Sequence, residues 1–112
     1  MSVNQFKAEK IITFPTREYK TTMSLDTIMR IEDSLEKSLI QVANTVASGN
    51  LLMSDMVKIL MFAIRSGGND IDENKVKEHI TEIGYVEAVK KTGEILTSAL
   101  AVDDKVADEK KN

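Results

Sequence analysis

Residues 54–84, SDMVKILMFAIRSGGNDIDENKVKEHITEIG, decide how this chain folds. Met56, Val57, Ile59, Leu60, Met61, Phe62, Ala63 and Ile64 cover nearly every face of a helix, and Lys58 is the only charge between Asp55 and Arg65. A helix that is apolar almost all round is buried all round, so this segment is expected at the centre of the molecule. Ser54 is placed to cap it, Arg65 complements its negative end, and Gly67-Gly68 stops it. Asp72 then caps a second helix. Ile71 and Val76 stand in staple positions, and Val76, Ile80 and Ile83 face inward until Gly84.

On the N-terminal side the period changes. Phe6, Ala8, Ile12 and Phe14 fall at alternate positions, interrupted by Lys10, as in a half-buried strand. Pro15-Thr16-Arg17-Glu18 is expected to turn the chain, and Tyr19, Thr21 and Met23 alternate with Lys20 and Thr22 in a returning strand. A two-stranded hairpin is marginal in water and must lie on helices. Lys7, Lys10, Arg17 and Lys20 are read as charges that block strand addition at sheet edges.

Ser24 and Asp26 open a helix with an apolar stripe through Leu25, Ile28, Met29, Ile31 and Leu35. A break is expected near Lys37, because Ser38 to Gln41 has the spacing of a capping box that restarts the chain. The stripe continues through Leu39, Ile40, Val42, Ala43, Val46 and Ala47 to Gly49, which suits a left-handed helix end. The last helix is expected from about Tyr85 to Leu100, with Val86, Val89, Gly93, Leu96 and Leu100 on one face. The fold class is therefore α+β, mostly α: an N-terminal β-hairpin (6–23) packed on a bundle of four to five short helices (24–100). Residues 1–101 form one domain. Residues 102–112 offer only Val102, Val106 and Ala107 as apolar groups and are expected to be a disordered tail.

Composition narrows the function. At 112 residues, 42% hydrophobic and 29% charged, the chain has globular proportions without cysteine, so disulfide and thiolate-metal frameworks are excluded. The longest apolar run, Ile59 to Ile64, is far short of the ~20 residues of a spanning helix, and no signal peptide or membrane partner is expected. A net charge of -3 is wrong for a phosphate-binding surface, so nucleic acid is not an expected partner.

No nucleophile elbow, dinucleotide fingerprint or P-loop occurs, and neither an enzyme nor a cofactor is expected. Asp70-Ile71-Asp72-Glu73-Asn74 resembles the start of an EF-hand calcium loop. Counted from Asp70, however, position six is Lys75 where glycine is needed and position twelve is Thr81 where a bidentate Glu is needed. A capped helix start explains the same acids. His79 and Glu82 share a helical face, but the chain has no other histidine and no cysteine to complete a metal site.

Strand, turn ending in Arg17-Glu18-Tyr19, strand, helix with Ile31-Glu32, capped helix ending at Ser48-Gly49, apolar helix ending at Gly67-Gly68, helix ending at Ile83-Gly84, and a final apolar helix follow in order. This pattern, over about residues 10 to 100, resembles the small phage tail proteins of the gene-transfer-agent type, regarded as tail assembly chaperones and sometimes labelled tail tube proteins. The chain departs from that pattern by lacking a glycine after Leu35. The resemblance implies a non-enzymatic protein of a bacteriophage or prophage tail cluster, acting in the bacterial host cytoplasm. Its implied partners are the tape measure protein, kept soluble during virion assembly, and the tail tube subunits. A structural tail subunit is the alternative, and an EF-hand-like calcium module the second. For client binding, adaptable apolar side chains are the candidates, Met29, Leu35, Met53, Met56 and Met61, although at helical spacing Met53, Met56 and Met61 read first as core.

Overall fold

The computed structural model describes the backbone of residues 8–111 and the side chains of residues 9–100. Strands β1 (Ala8–Phe14) and β2 (Arg17–Met23) form an antiparallel hairpin, and five helices follow: α1 (Leu25–Leu35), α2 (Leu39–Ala47), α3 (Met53–Ser66), α4 (Glu73–Ile83) and α5 (Tyr85–Lys111). This is the expected α+β, mostly helical architecture.

The hairpin register runs from Ala8 opposite Met23 to Phe14 opposite Arg17, leaving Pro15-Thr16 as a two-residue turn. Arg17 and Glu18, expected in the turn, are strand residues because pairing closes one step earlier. Ile12, Phe14, Tyr19, Thr21 and Met23 face inward and are buried. Phe6, which the alternation placed in the first strand, lies outside the described residues.

α1 and α3 run antiparallel. Lys37 and Asp55 form an ion pair of 2.8 Å at one end, and the Thr27 hydroxyl donates to Ser66 Oγ over 2.7 Å at the other. Ser66 also shares a 2.5 Å hydrogen bond with Thr22 of β2, so one hydroxyl cluster ties the hairpin, α1 and α3 together. α3 is the centre of the core. Met56, Ile59, Leu60, Ala63 and Ile64 have no exposed surface, as near-complete apolar coverage requires.

The break between α1 and α2 falls where the capping box places it. The Ser38 N–H donates to Gln41 Oε1 over 2.8 Å, and the Gln41 N–H returns to Ser38 Oγ over 3.1 Å. Glu36 closes α1 in the left-handed region, φ 56°, and its N–H donates to the Glu32 carbonyl. The missing glycine after Leu35 therefore does not prevent the break; a glutamate takes the glycine's conformation at an energetic cost.

α3 begins at Met53 behind Leu52, with no side-chain cap; Ser54, expected to cap it, lies inside the helix. At its other end the two glycines have separate causes. Gly68 takes φ 97°. Gly67 is not left-handed, but a Cβ there would overlap the Lys20 carbonyl of β2, so the helix end packs directly on the strand backbone.

The buried face of α5 is wider than expected: Leu96 is buried and Val89 and Leu100 pack partly buried on the core as the stripe places them, but Ala88, Thr92 and Ile95 are buried as well, while Val86 is 69% exposed. Burying Thr92 is possible because its hydroxyl donates to the Ala88 carbonyl over 2.8 Å. Gly93 faces Val46 of α2, whose Cγ1 would sit 3.4 Å from a Cβ. The backbone continues as helix to Lys111, past the expected end near Leu100. The side chains of residues 102–112, expected to form a disordered tail, lie outside the described ones.

Candidate functional site

Three features bear on function: the buried imidazole, the acidic loop before α4, and the apolar side chains left on the surface.

His79, on α4, is 3% exposed and packs under the hairpin. Phe14 stacks on it at 4.5 Å between centroids and 15° between planes, and Tyr19 meets it edge-on at 5.4 Å. Its Nε2 lies 2.7 Å from the Tyr19 hydroxyl, and its Nδ1 lies 3.0 Å from Glu82 Oε1. The Thr16 hydroxyl donates to Glu82 Oε2 over 3.1 Å. A carboxylate only accepts, so Nδ1 carries a proton toward Glu82, and the tautomer with that single ring proton leaves Nε2 to accept from the Tyr19 hydroxyl. The hydrogen bond from His79 holds the Glu82 carboxyl below its ordinary range, with the Thr16 hydroxyl acting in the same direction. Phenol, imidazole and carboxylate in line resemble a proton relay, but both ring nitrogens are occupied by protein partners and the ring is sealed by two aromatics. The array therefore latches the turn and both strands onto α4. Sequence spacing showed the His79–Glu82 pair; nothing in it revealed Tyr19 or Thr16 as partners, which arrive only through the hairpin's docking.

In the loop before α4, the Asp72 carboxylate accepts from the Lys75 N–H over 2.9 Å as the helix cap. Ile71 is buried, with its carbonyl accepting from Arg65 Nε over 2.7 Å. Arg65 thus anchors this loop as well as sitting at the end of α3. Among the described residues no three acidic, histidine or cysteine side chains gather as a metal group.

The five apolar candidates divide. Leu35, Met56 and Met61 are core residues with at most 8% exposure, because they sit on the inward faces of α1 and α3. They line no surface. Met29 and Met53 are about half exposed. Sequence periodicity missed their companions Leu25, Ile40 and Leu52, which are 53 to 63% exposed although each belongs to, or adjoins, an apolar stripe. Leu25 and Met29 stand one turn apart on α1 and so share a face. Between α2 and α5 lies a shallow groove of about 240 Å³, lined by Ala43, Val46, Ala47, Gly93, Leu96, Thr97 and Leu100. No described helix is long and apolar enough to cross a membrane.

The fold and its surface name no reaction, and comparison with known families supplies the kind of protein. Residues 7–102 match the family described as phage tail tube protein, GTA-gp10. The chain belongs to this family. No curated protein and no solved structure gives a significant match. A GTA-gp10-type protein is a phage tail protein, so its expected partners are other tail proteins, and the family description names no reaction.

Proposed function

We propose that this GTA-gp10-type protein is a tail assembly chaperone that binds the tape measure protein in the bacterial host cytoplasm while tail tube subunits assemble around it. The observation that carries this reading is the set of aliphatic side chains on α1, α2 and the start of α3, namely Leu25, Met29, Ile40, Leu52 and Met53, about half exposed or more. A long amphipathic helical client must cover apolar faces it has not yet buried. Unbranched Met and flexible Leu side chains adapt to faces of irregular shape. Weak sites repeated along one client add through effective concentration, so each contact need only be modest.

The second reading, a subunit built into the tail tube, is favoured by the family description itself. A ring needs a heterologous interface on each side of every subunit, and obligate interfaces bury roughly 2,000–5,000 Å² in total. Two such interfaces would take a large share of the 6864 Å² surface. Among the described residues the exposed large hydrophobics are distributed over β1 and four helices rather than gathered in one patch, which suits several weak client contacts and also ring contacts on opposite sides.

Co-expression with the tape measure protein of the same gene cluster tests the choice. A chaperone raises that protein's soluble fraction, co-purifies with it, and is missing from finished tails. Recovery of this chain in stoichiometric amount from purified tails, with no effect on tape measure solubility, establishes the tube subunit instead.

A further inference from the structure

The two edges of the hairpin are treated differently by the fold. On β2, the Lys20 carbonyl turns away from β1, accepts from Asn69 Nδ2 over 2.9 Å, and abuts Gly67. The end of α3 thus covers that edge. In an antiparallel pair, a residue's N–H and C=O point to the same side, and successive residues alternate. Lys20 points outward, so its partner Ile11 does too, and with it Glu9 and Thr13. The sheet has only two strands, and among the described residues no hydrogen bond engages the outward backbone groups of Glu9, Ile11 and Thr13.

The charges expected to block strand addition do not guard this edge. Lys20 lies on the covered strand and pairs with Glu9 at 3.8 Å. Arg17 lies 4.9 Å over the Tyr19 ring. Lys10 is half-buried on the side of Ile12 and Phe14, and Lys7 lies outside the described residues. At the centre of the open edge stands Ile11, 61% exposed.

We propose that two copies of this chain pair antiparallel through their β1 edges, about a twofold axis at Ile11, to form one four-stranded sheet. The register follows from hydrogen-bonding parity and charge. With Ile11 opposite Ile11 of the second copy, Glu9 meets Thr13 and Thr13 meets Glu9, so every pair joins outward-pointing groups and about six inter-chain hydrogen bonds form. A one-residue slip sets outward groups against inward ones. Centring on Lys10 or on Glu9 brings like charges face to face, and centring on Ile12 or on Thr13 carries Glu9 or Ile11 onto Pro15, which has no N–H to give. In the favoured register the exposed face carries a row of Lys20, Ile11, Ile11 and Lys20, with the two aliphatic side chains covering each other between the lysine stems. A two-stranded sheet becomes one of four strands, which is intrinsically more stable. This pairing is independent of whether the protein acts as a chaperone or as a tube subunit.

The test is sedimentation and light scattering of the full chain over a micromolar to millimolar series, with amide exchange as the local readout. The natural chain is expected to self-associate with rising concentration, and the Ile11 amide to slow in step. Ile11→Glu sets two carboxylates against each other across the axis while giving Lys20 a partner within each chain; it is expected to keep the fold and weaken association at least about tenfold. Thr13→Lys sets an ammonium opposite Glu9 of the second copy and is expected to tighten association severalfold. A chain that stays monomeric at millimolar concentration overturns the proposal, as does self-association indifferent to both substitutions. Protection of the Ile11 amide only when tape measure protein is added also overturns it, because the edge then takes a partner strand instead.

Discussion

Tyr19→Phe isolates the latch that holds the hairpin to α4. Tyr19 is 4% exposed, and its hydroxyl is the partner of His79 Nε2 at 2.7 Å. Phenylalanine keeps the ring and its edge-on contacts with Phe14 and His79. The loss is thus confined to one hydrogen bond and one buried acceptor left without a donor, a cost of about 1–3 kcal/mol. For a domain of this size each kcal/mol moves the melting temperature by roughly 4 °C, so a fall of about 4–12 °C is expected. Urea titration at neutral pH measures the free energy, and amide exchange should show the hairpin opening before α3. The decisive variant is Tyr19→Phe combined with His79→Phe. Replacing both partners by apolar rings removes the orphaned nitrogen, and Glu82, whose side chain is 30% exposed, turns to water. The double variant should therefore be more stable than the sum of the two single losses by at least about 1 kcal/mol. A Tyr19→Phe cost under about 0.5 kcal/mol, or strictly additive losses, would refute the latch.

Four further outcomes follow. Glu82 has a lowered folded-state pKa, so its contribution is present above the ordinary value of 4.5 and is lost as pH falls through the folded value. Glu82→Gln should accordingly flatten the decline of stability below about pH 4.5, read from urea midpoints across an acid series. Leu60→Ala, at a site with no exposed surface, should cost about 2–5 kcal/mol in the same assay. Glu36→Gly should stabilise by about 0.5–1 kcal/mol by relieving the left-handed backbone at φ 56°, whereas Glu36→Ala, which keeps that strain, should not. Gly67→Ala drives a methyl into the Lys20 carbonyl and should cost about 1–3 kcal/mol or more, with the loss appearing as earlier exchange of the β2 amides.

Much of the architecture was legible in the linear pattern because local rules decided it. The alternation from Ile12 to Met23, the Ser38–Gln41 box, the Asp72 cap and the all-round apolar α3 each involve neighbours within a few residues, and each is found where the pattern places it. What the pattern left open depends on groups distant in sequence. Periodicity marks which residues are apolar but not how a helix is rotated against its neighbours. It marked Val89, Leu96 and Leu100 of α5 but not Ala88, Thr92 and Ile95, which packing also buries, and it put Val86 on a face that the fold leaves exposed. Of the five side chains chosen for their adaptability, only Met29 and Met53 are substantially exposed. The partners of His79 lie 60 residues away for Tyr19 and three for Glu82, and only the nearer was visible. The reason for Gly67 is a carbonyl on another strand. Likewise, the charges of the hairpin were known from the start, but which edge they protect was decided by where α3 ends: its last turn closes over β2, whereas among the described residues the outward backbone groups of β1, with Ile11 at their centre, have no hydrogen-bond partner.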